Sequence, residues 1–260
     1  AAQRQQPPAG DGKRRQVSIG GRRVKTVDVH AHVNVPEAIA LLGRKPNENE
    51  TQAVVSAEDR LRTMDQQGVD MQAISINPYW YGASRDVAAK IVKLQNEKLA
   101  QFCATKPDRF AAFASLPMQA PELAMQELER AAKLPGIKGV YLATAVNGKN
   151  LDDKSFFPIY ARCEALNLPV LLHPINPVGA DRMRSWYLRN FIGNPTDTGI
   201  AAASLIFGGV MDAFPKLDVV LPHAGGITPI LIGRWDHGSS VRPETKHMTK
   251  APSTYLRRFH

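Results

Sequence analysis

Four histidines carry the chemistry this chain can offer. His30 and His32 stand one residue apart in the stretch VDVHAHV, residues 27–33; His173 closes the apolar run VLLH, and His223 follows VVLP. In an extended strand, side chains alternate faces, so residues i and i+2 project the same way. His30 and His32 therefore converge at one end of a strand, and the same rule puts Asp28 on their side. Two imidazoles side by side suit a metal better than an apolar core. For a single histidine at a strand end, a hydrogen-bonded structural role competes evenly with a functional one. Four such histidines shift the balance, because three imidazoles with a carboxylate or water make a catalytic zinc site with an open position.

The elements that must position these groups alternate along the chain. Strands are expected over residues 26–32, 71–77, 109–117, 137–144, 169–174 and 217–226, and helices over 56–70, 84–106, 121–134, 153–167 and 196–213. Ser56 can cap the first helix and Gly68 can close it. The strands are short and apolar without alternation, as in a parallel sheet covered on both faces. Regular strand–helix repetition favours a (β/α)8 TIM barrel, whose active site lies at the C-terminal ends of the strands, where all four histidines fall. No glycine-rich nucleotide fingerprint follows the first strand, which counts against a doubly wound sheet. Six units are counted where a barrel has eight, a shortfall of about 60 residues at about 30 per unit. The expectation is an incomplete barrel, C-terminally truncated.

The chain has 260 residues, 43% hydrophobic and 22% charged, with a formal net charge of +9. Residues 1–25 carry seven lysines and arginines against Asp11 alone, so most of the excess charge is local. Residues 1–23 are expected to be a flexible basic leader and 24–260 the barrel domain. The leader has no interleaved aromatic residues, which removes a stacking platform for nucleic-acid bases. No apolar run reaches the ~18–20 residues of a membrane span. Cys103 and Cys163 form no CxxC pair and are expected as buried free thiols. A cytoplasmic location is expected; export to the periplasm is the alternative if the polar N-terminus is the product of a signal peptidase.

The order DxHxH on the first strand, HP after the fifth and HAGG after the sixth resembles the amidohydrolase superfamily. Within it, the chain resembles the branch of aminocarboxymuconate-semialdehyde decarboxylase and related aromatic-acid decarboxylases, from about residue 24 onward. The resemblance implies His30, His32 and His173 as metal ligands and His223 as a catalytic group. The exit of the fourth strand reads VYLAT, with no bridging lysine or glutamate, and Lys138 lies at that strand's entrance. One divalent ion follows, zinc first and manganese second. The family's last metal-associated residue is an aspartate after the eighth strand, a place neither Asp218 nor Asp236 takes.

The same resemblance implies two substrate-binding residues. Arg242, nineteen residues after His223, has the spacing of an arginine that grips a substrate carboxylate across a dimer interface; a surface ion pair is the competing reading. Trp186 resembles an active-site-loop tryptophan, with loop packing as its competitor. A homodimer is implied with them. The loop after the first strand is short, so neither Arg44 nor Arg60 is assigned to substrate. Asp28 is expected at the barrel floor, with orientation of a ligand histidine as the alternative. Gly225 and Gly226 would turn the backbone sharply past His223, and His237, His247 and His260 are expected at the surface. The implied reaction is metal-dependent nonoxidative decarboxylation of a small aromatic or unsaturated carboxylic acid. Hydrolysis of a lactone or amide, or hydration, is the alternative; an inactive metal-binding remnant is the non-enzymatic one.

Overall fold

A computed structural model describes residues 14–53 and 55–260. Six parallel strands form its central sheet: β1 (Val27–His32), β2 (Met71–Ser75), β3 (Phe110–Ser115), β4 (Ile137–Ala143), β5 (Val170–His173) and β6 (Val219–Val220). They are hydrogen-bonded in sequence order, β1 at one edge and β6 at the other. This is the incomplete barrel the sequence implies. The helices α1 (Ala57–Gln67), α2 (Arg85–Thr105), α3 (Pro121–Ala131), α4 (Phe157–Ala165), α5 (Asn194–Phe207) and α6 (Thr228–Val241) follow the strands in turn.

Local signals set the helix ends. The Ser56 hydroxyl accepts the Asp59 amide at the start of α1, and Gly68 ends it in the left-handed conformation, the geometry a residue without Cβ adopts at least cost. The single helix expected over 196–213 is two, α5 and a short turn at Val210–Ala213. Gly208 and Gly209 separate them: a Cβ at Gly208 would sit 2.1 Å from Asp152 Cβ, and Gly209 has φ +76°.

The sheet curls, and its two faces bury different cores. The convex face packs Ile74, Val140 and Leu172 against Leu99, Leu128 and Leu205 of the helices. The concave face holds a small separate cluster of Ala73, Ala111, Phe113, Tyr141 and Leu171. Phe113 lies directly over Gly139, where a Cβ would be 2.6 Å from the ring and 2.7 Å from the Pro169 carbonyl oxygen.

Two stretches differ from expectation. Residues 1–13 of the expected leader lie outside the described residues, but 14–23 are folded rather than free. Ser18–Ile19 and Arg22–Arg23 form an antiparallel hairpin, and Arg14 and Arg23 both pair with Asp70 at the entrance of β2. Asp70 also accepts the Thr26 amide at 2.7 Å. The Arg23 bond, that amide and Arg14 together hold its carboxyl far below the usual range. At the other edge, only Val219 and Val220 of the expected 217–226 strand pair with β5. His260, exposed as expected, runs its backbone alongside β6: its amide donates to Val219 O at 2.9 Å, its carbonyl accepts from Leu221 at 2.8 Å, and its ring meets Asp218 at 3.0 Å.

Candidate metal centre

The curl of the sheet brings β1 and β5 together. Three strands separate them along the hydrogen-bonded order, a span of about 19 Å in a flat sheet. Across the concave face, however, His173 Nε2 lies 3.0 Å from His30 Nε2. His32 Nε2 is 3.1 Å from the same His30 nitrogen. His30, His173 and His223 each place one ring nitrogen within 4.8 Å of the others. The four histidines expected at strand ends thus meet at one point.

His30 does not share a face with Asp28, contrary to the alternation rule. Asp28 pairs with Gln72 and Ala31 with Ile74, so β1 holds one residue more than β2 across this interval. This β-bulge turns Asp28 to the helix side, where Gln72 and Ile74 point, and keeps both histidines on the concave side. Asp28 is therefore neither at the barrel floor nor in contact with an imidazole. Its Oδ1 accepts the His30 backbone amide at 3.0 Å and its Oδ2 accepts Gln72 Nε2 at 2.9 Å.

Hydrogen bonds set the state of the rings. His173 Nδ1 meets the Pro174 carbonyl at 2.8 Å; a carbonyl only accepts, so Nδ1 carries the proton and Nε2 presents a lone pair. The Thr198 hydroxyl donates to Asn194 O at 2.9 Å. Its oxygen is left to accept from His223 Nδ1 at 3.3 Å, which again bares Nε2. Burial lowers the pKa of all four rings, most for His173, to about 2, and His32, to about 4. Neighbouring imidazoles add to the lowering at His32, His173 and His223, while Asp28 opposes it at His30 and His32. At neutral pH the site is a set of uncharged nitrogen donors.

These donors fit a divalent cation. His30 Nε2 faces two other Nε2 atoms, and one proton cannot serve both contacts. Two nitrogens bound 2.0–2.1 Å from one tetrahedral ion stand about 3.3 Å apart, close to the spacing here. His32 Nδ1 is buried with no hydrogen-bond partner among the described residues.

His223 sits in a strained turn. His223 and Ala224 have φ of 55° and 53°, a region that costs a non-glycine residue on the order of 1–3 kcal/mol. Gly226 follows at φ 59°, ψ −133°, with the Pro195 carbonyl 2.2 Å from where a Cβ would stand. This is the sharp turn expected at the glycine pair.

The structure does not join the other two expected residues to the cluster. Trp186 is 85% exposed at φ 61° in the loop between β5 and α5, and its ring pairs with no histidine among the described residues. Arg242 is exposed just past the end of α6. Tyr141 does join, unassigned by the sequence reading. Its ring centroid lies 6.2 Å from that of His32 and 6.0 Å from that of His173, and its hydroxyl donates to Asn77 Oδ1 at 2.7 Å. Its inward position on β4 was available from strand alternation. Thr198 left no such signal.

Residues 27–258 match the amidohydrolase family, and the chain belongs to it. It is 38% identical over 204 residues to the 2-amino-3-carboxymuconate-6-semialdehyde decarboxylase of Dictyostelium discoideum, covering 77% of this chain and 57% of that one. The structure of a 2,6-dihydroxybenzoate decarboxylase from Rhizobium superposes with a TM-score of 0.78 at 28% identity, covering 91% of this chain and 78% of that one. The dihydroxybenzoic acid decarboxylase of a Polaromonas species, solved with bound manganese and the inhibitor 2-nitroresorcinol, gives 0.77 at 26% identity, covering 91% and 77%. The chain spans about three fifths of the length of the curated relatives it matches.

Proposed function

We propose that this chain carries the metal site of a nonoxidative decarboxylase acting on a small aromatic or unsaturated carboxylic acid. The observation that carries the reading is the meeting of four neutral imidazoles at the strand exits, in a chain whose relatives are named decarboxylases. His30, His32 and His173 would hold one divalent ion. Zinc suits three imidazoles, and manganese, held by the Polaromonas relative, is the second choice. When bound, the ion supplies a positive charge that orients and polarises a substrate carboxylate or adjacent oxygen.

The chain's own groups would do the rest. Decarboxylation breaks the bond from ring carbon to carboxyl, releases CO2 and leaves an electron pair that takes up a proton. His223 is placed for proton traffic: Thr198 fixes its Nδ1–H, and its bared Nε2 accepts or returns a proton at a substrate oxygen. Tyr141 stays a neutral phenol, because burial raises its pKa far above the ordinary value, and forms a rigid wall beside His32 and His173. Arg242 would clamp a carboxylate and Trp186 would stack on the ring. Both are exposed here, and for Arg242 that suits a residue reaching across a homodimer interface. No helix of the described residues is long and apolar enough to cross a membrane. Two buried free thiols suit the reducing cytoplasm.

The test is metal content by mass spectrometry, with CO2 release from a panel of hydroxybenzoates and unsaturated acids. About one ion per chain is expected, lost in the His30→Ala/His32→Ala double variant, with CO2 released from at least one acid. A metal-loaded chain that releases none, yet hydrolyses a lactone or amide, would replace decarboxylation with hydrolysis.

A further inference from the structure

The ladder between β1 and β2 contains a choice that decides whether a metal centre exists. Asp28 pairs with Gln72. If the ladder ran on from there without its extra residue, His30 would pair with Ile74 and His32 with Ile76. Ile74 and Ile76 lie in the core of the helix side. Both imidazoles would then point away from His173, because a one-residue slip turns every later side chain to the opposite face. The bulge restores them to the concave side, where His32 pairs with Ser75.

β1 is an edge strand among the described residues, with Val27 and Val29 exposed. The interrupted ladder to β2 by itself leaves little to resist a slip. A closed ring of hydrogen bonds on the helix side opposes it. Asp28 Oδ1 accepts the His30 amide inside the bulge, and Asp28 Oδ2 accepts Gln72 Nε2. Gln72 Oε1 accepts Arg60 Nη1 at 3.3 Å, and Arg60 Nη2 donates to the His32 carbonyl. Arg60 is half-buried, and Gln72 lies between its charge and that of Asp28.

We infer that Asp28, Gln72 and Arg60 form a clamp that holds the bulge and thereby selects the face on which His30 and His32 are presented. They are positioning residues, acting through the backbone of β1. None of them touches the ion, and the inference rests on the reading of these histidines as its ligands.

The test compares zinc affinity, by competition with a chromophoric chelator, and amide exchange of residues 29–33 in the metal-free chain. Asp28→Ala and Arg60→Met are expected to weaken zinc tenfold to a hundredfold, the range for partners of metal ligands, and to speed exchange across the bulge. Asp28→Asn keeps an acceptor for the His30 amide; its expected loss is smaller, about threefold to tenfold, and it guards against failure of the alanine variant to fold. A lower melting temperature with zinc affinity within twofold of wild type and unchanged exchange would make the ring ordinary packing and overturn the inference. Wild-type chain that binds neither zinc nor manganese would sink the metal centre itself. In that case the exchange data still decide whether the clamp holds the bulge.

Discussion

His173 and the His30–His32 pair reach the same point from unlike strand ends. β5 is flanked on both sides, its ladder with β4 is regular from Val140–Val170 to Ala143–His173, and His173 is buried. Among the described residues β1 is an edge, its ladder is interrupted by a bulge, and His30 is exposed. At β5 the fold places the ligand, and one carbonyl fixes its tautomer. At β1 a ring of polar side chains outside the barrel places two ligands. The site joins a rigid half to a half held by replaceable contacts.

The largest effect should come from breaking the rigid half. His173→Ala should lower zinc affinity by more than the hundredfold reserved for indirect partners and abolish CO2 release, while the clamp variants leave a weakened site; chelator competition compares them. Next is the support beneath β5. Gly139→Ala puts a methyl group against the Phe113 ring and the Pro169 carbonyl and should cost about 1–3 kcal/mol. At ~2–4 °C per kcal/mol for a chain of this size, calorimetry of the metal-free chain would read it. No loss would show that the concave core yields more than its geometry suggests.

Thr198→Val keeps the shape of α5 but removes the oxygen that accepts the His223 Nδ1 proton. It should lower kcat about tenfold, a part of what a positioned acid–base group supplies, while metal content stays at the wild-type value. Loss of metal in this variant would move His223 among the ligands, in the grouping with His30 and His173.

Acid sharpens the contrast more gently. His173 and His32 have pKa values lowered to about 2 and about 4 in the fold, against 6.5 when unfolded. Between those values the unfolded chain binds more protons, so their contribution is complete above pH 6.5 and is lost as pH falls toward the folded values. Below about pH 4, Asp70 adds a loss of the same sign as its ion pairs are protonated. Denaturant titrations of the metal-free chain should show stability declining from pH 6.5 downward; a flat profile to pH 5 would contradict the desolvation of these rings.

The parts of the site legible in the sequence are those that depend on short-range period. The i, i+2 spacing of His30 and His32 and the strand-end positions of His173 and His223 were enough to bring four rings together. Helix α2 falls within one residue of its expected ends because its apolar pattern is long and uninterrupted. The bulge was not legible, since an extra residue in β1 shows only against the count in β2, and Asp28 was misplaced by one alternation. Helix α6 was also missed: Gly233 and Gly238 weaken its propensity, and its support comes from packing against residues 252–258. Arg60 illustrates a further limit. Its place beneath β1 depends on how α1 docks, which no local pattern encodes.

The exposure of Trp186 has an optical consequence. Of the three tryptophans, Trp80 is fully buried with its indole N–H bonded to the Leu116 carbonyl at 2.9 Å, and Trp235 is partly packed against the core. Trp186 lies almost wholly in water, within reach in sequence of Arg182, Arg184 and Arg189. Iodide, drawn by those cations, should quench its red-shifted emission selectively while Trp80 remains dark to the quencher. The native fluorescence thus contains a built-in reporter of the loop beside the site, readable without a label.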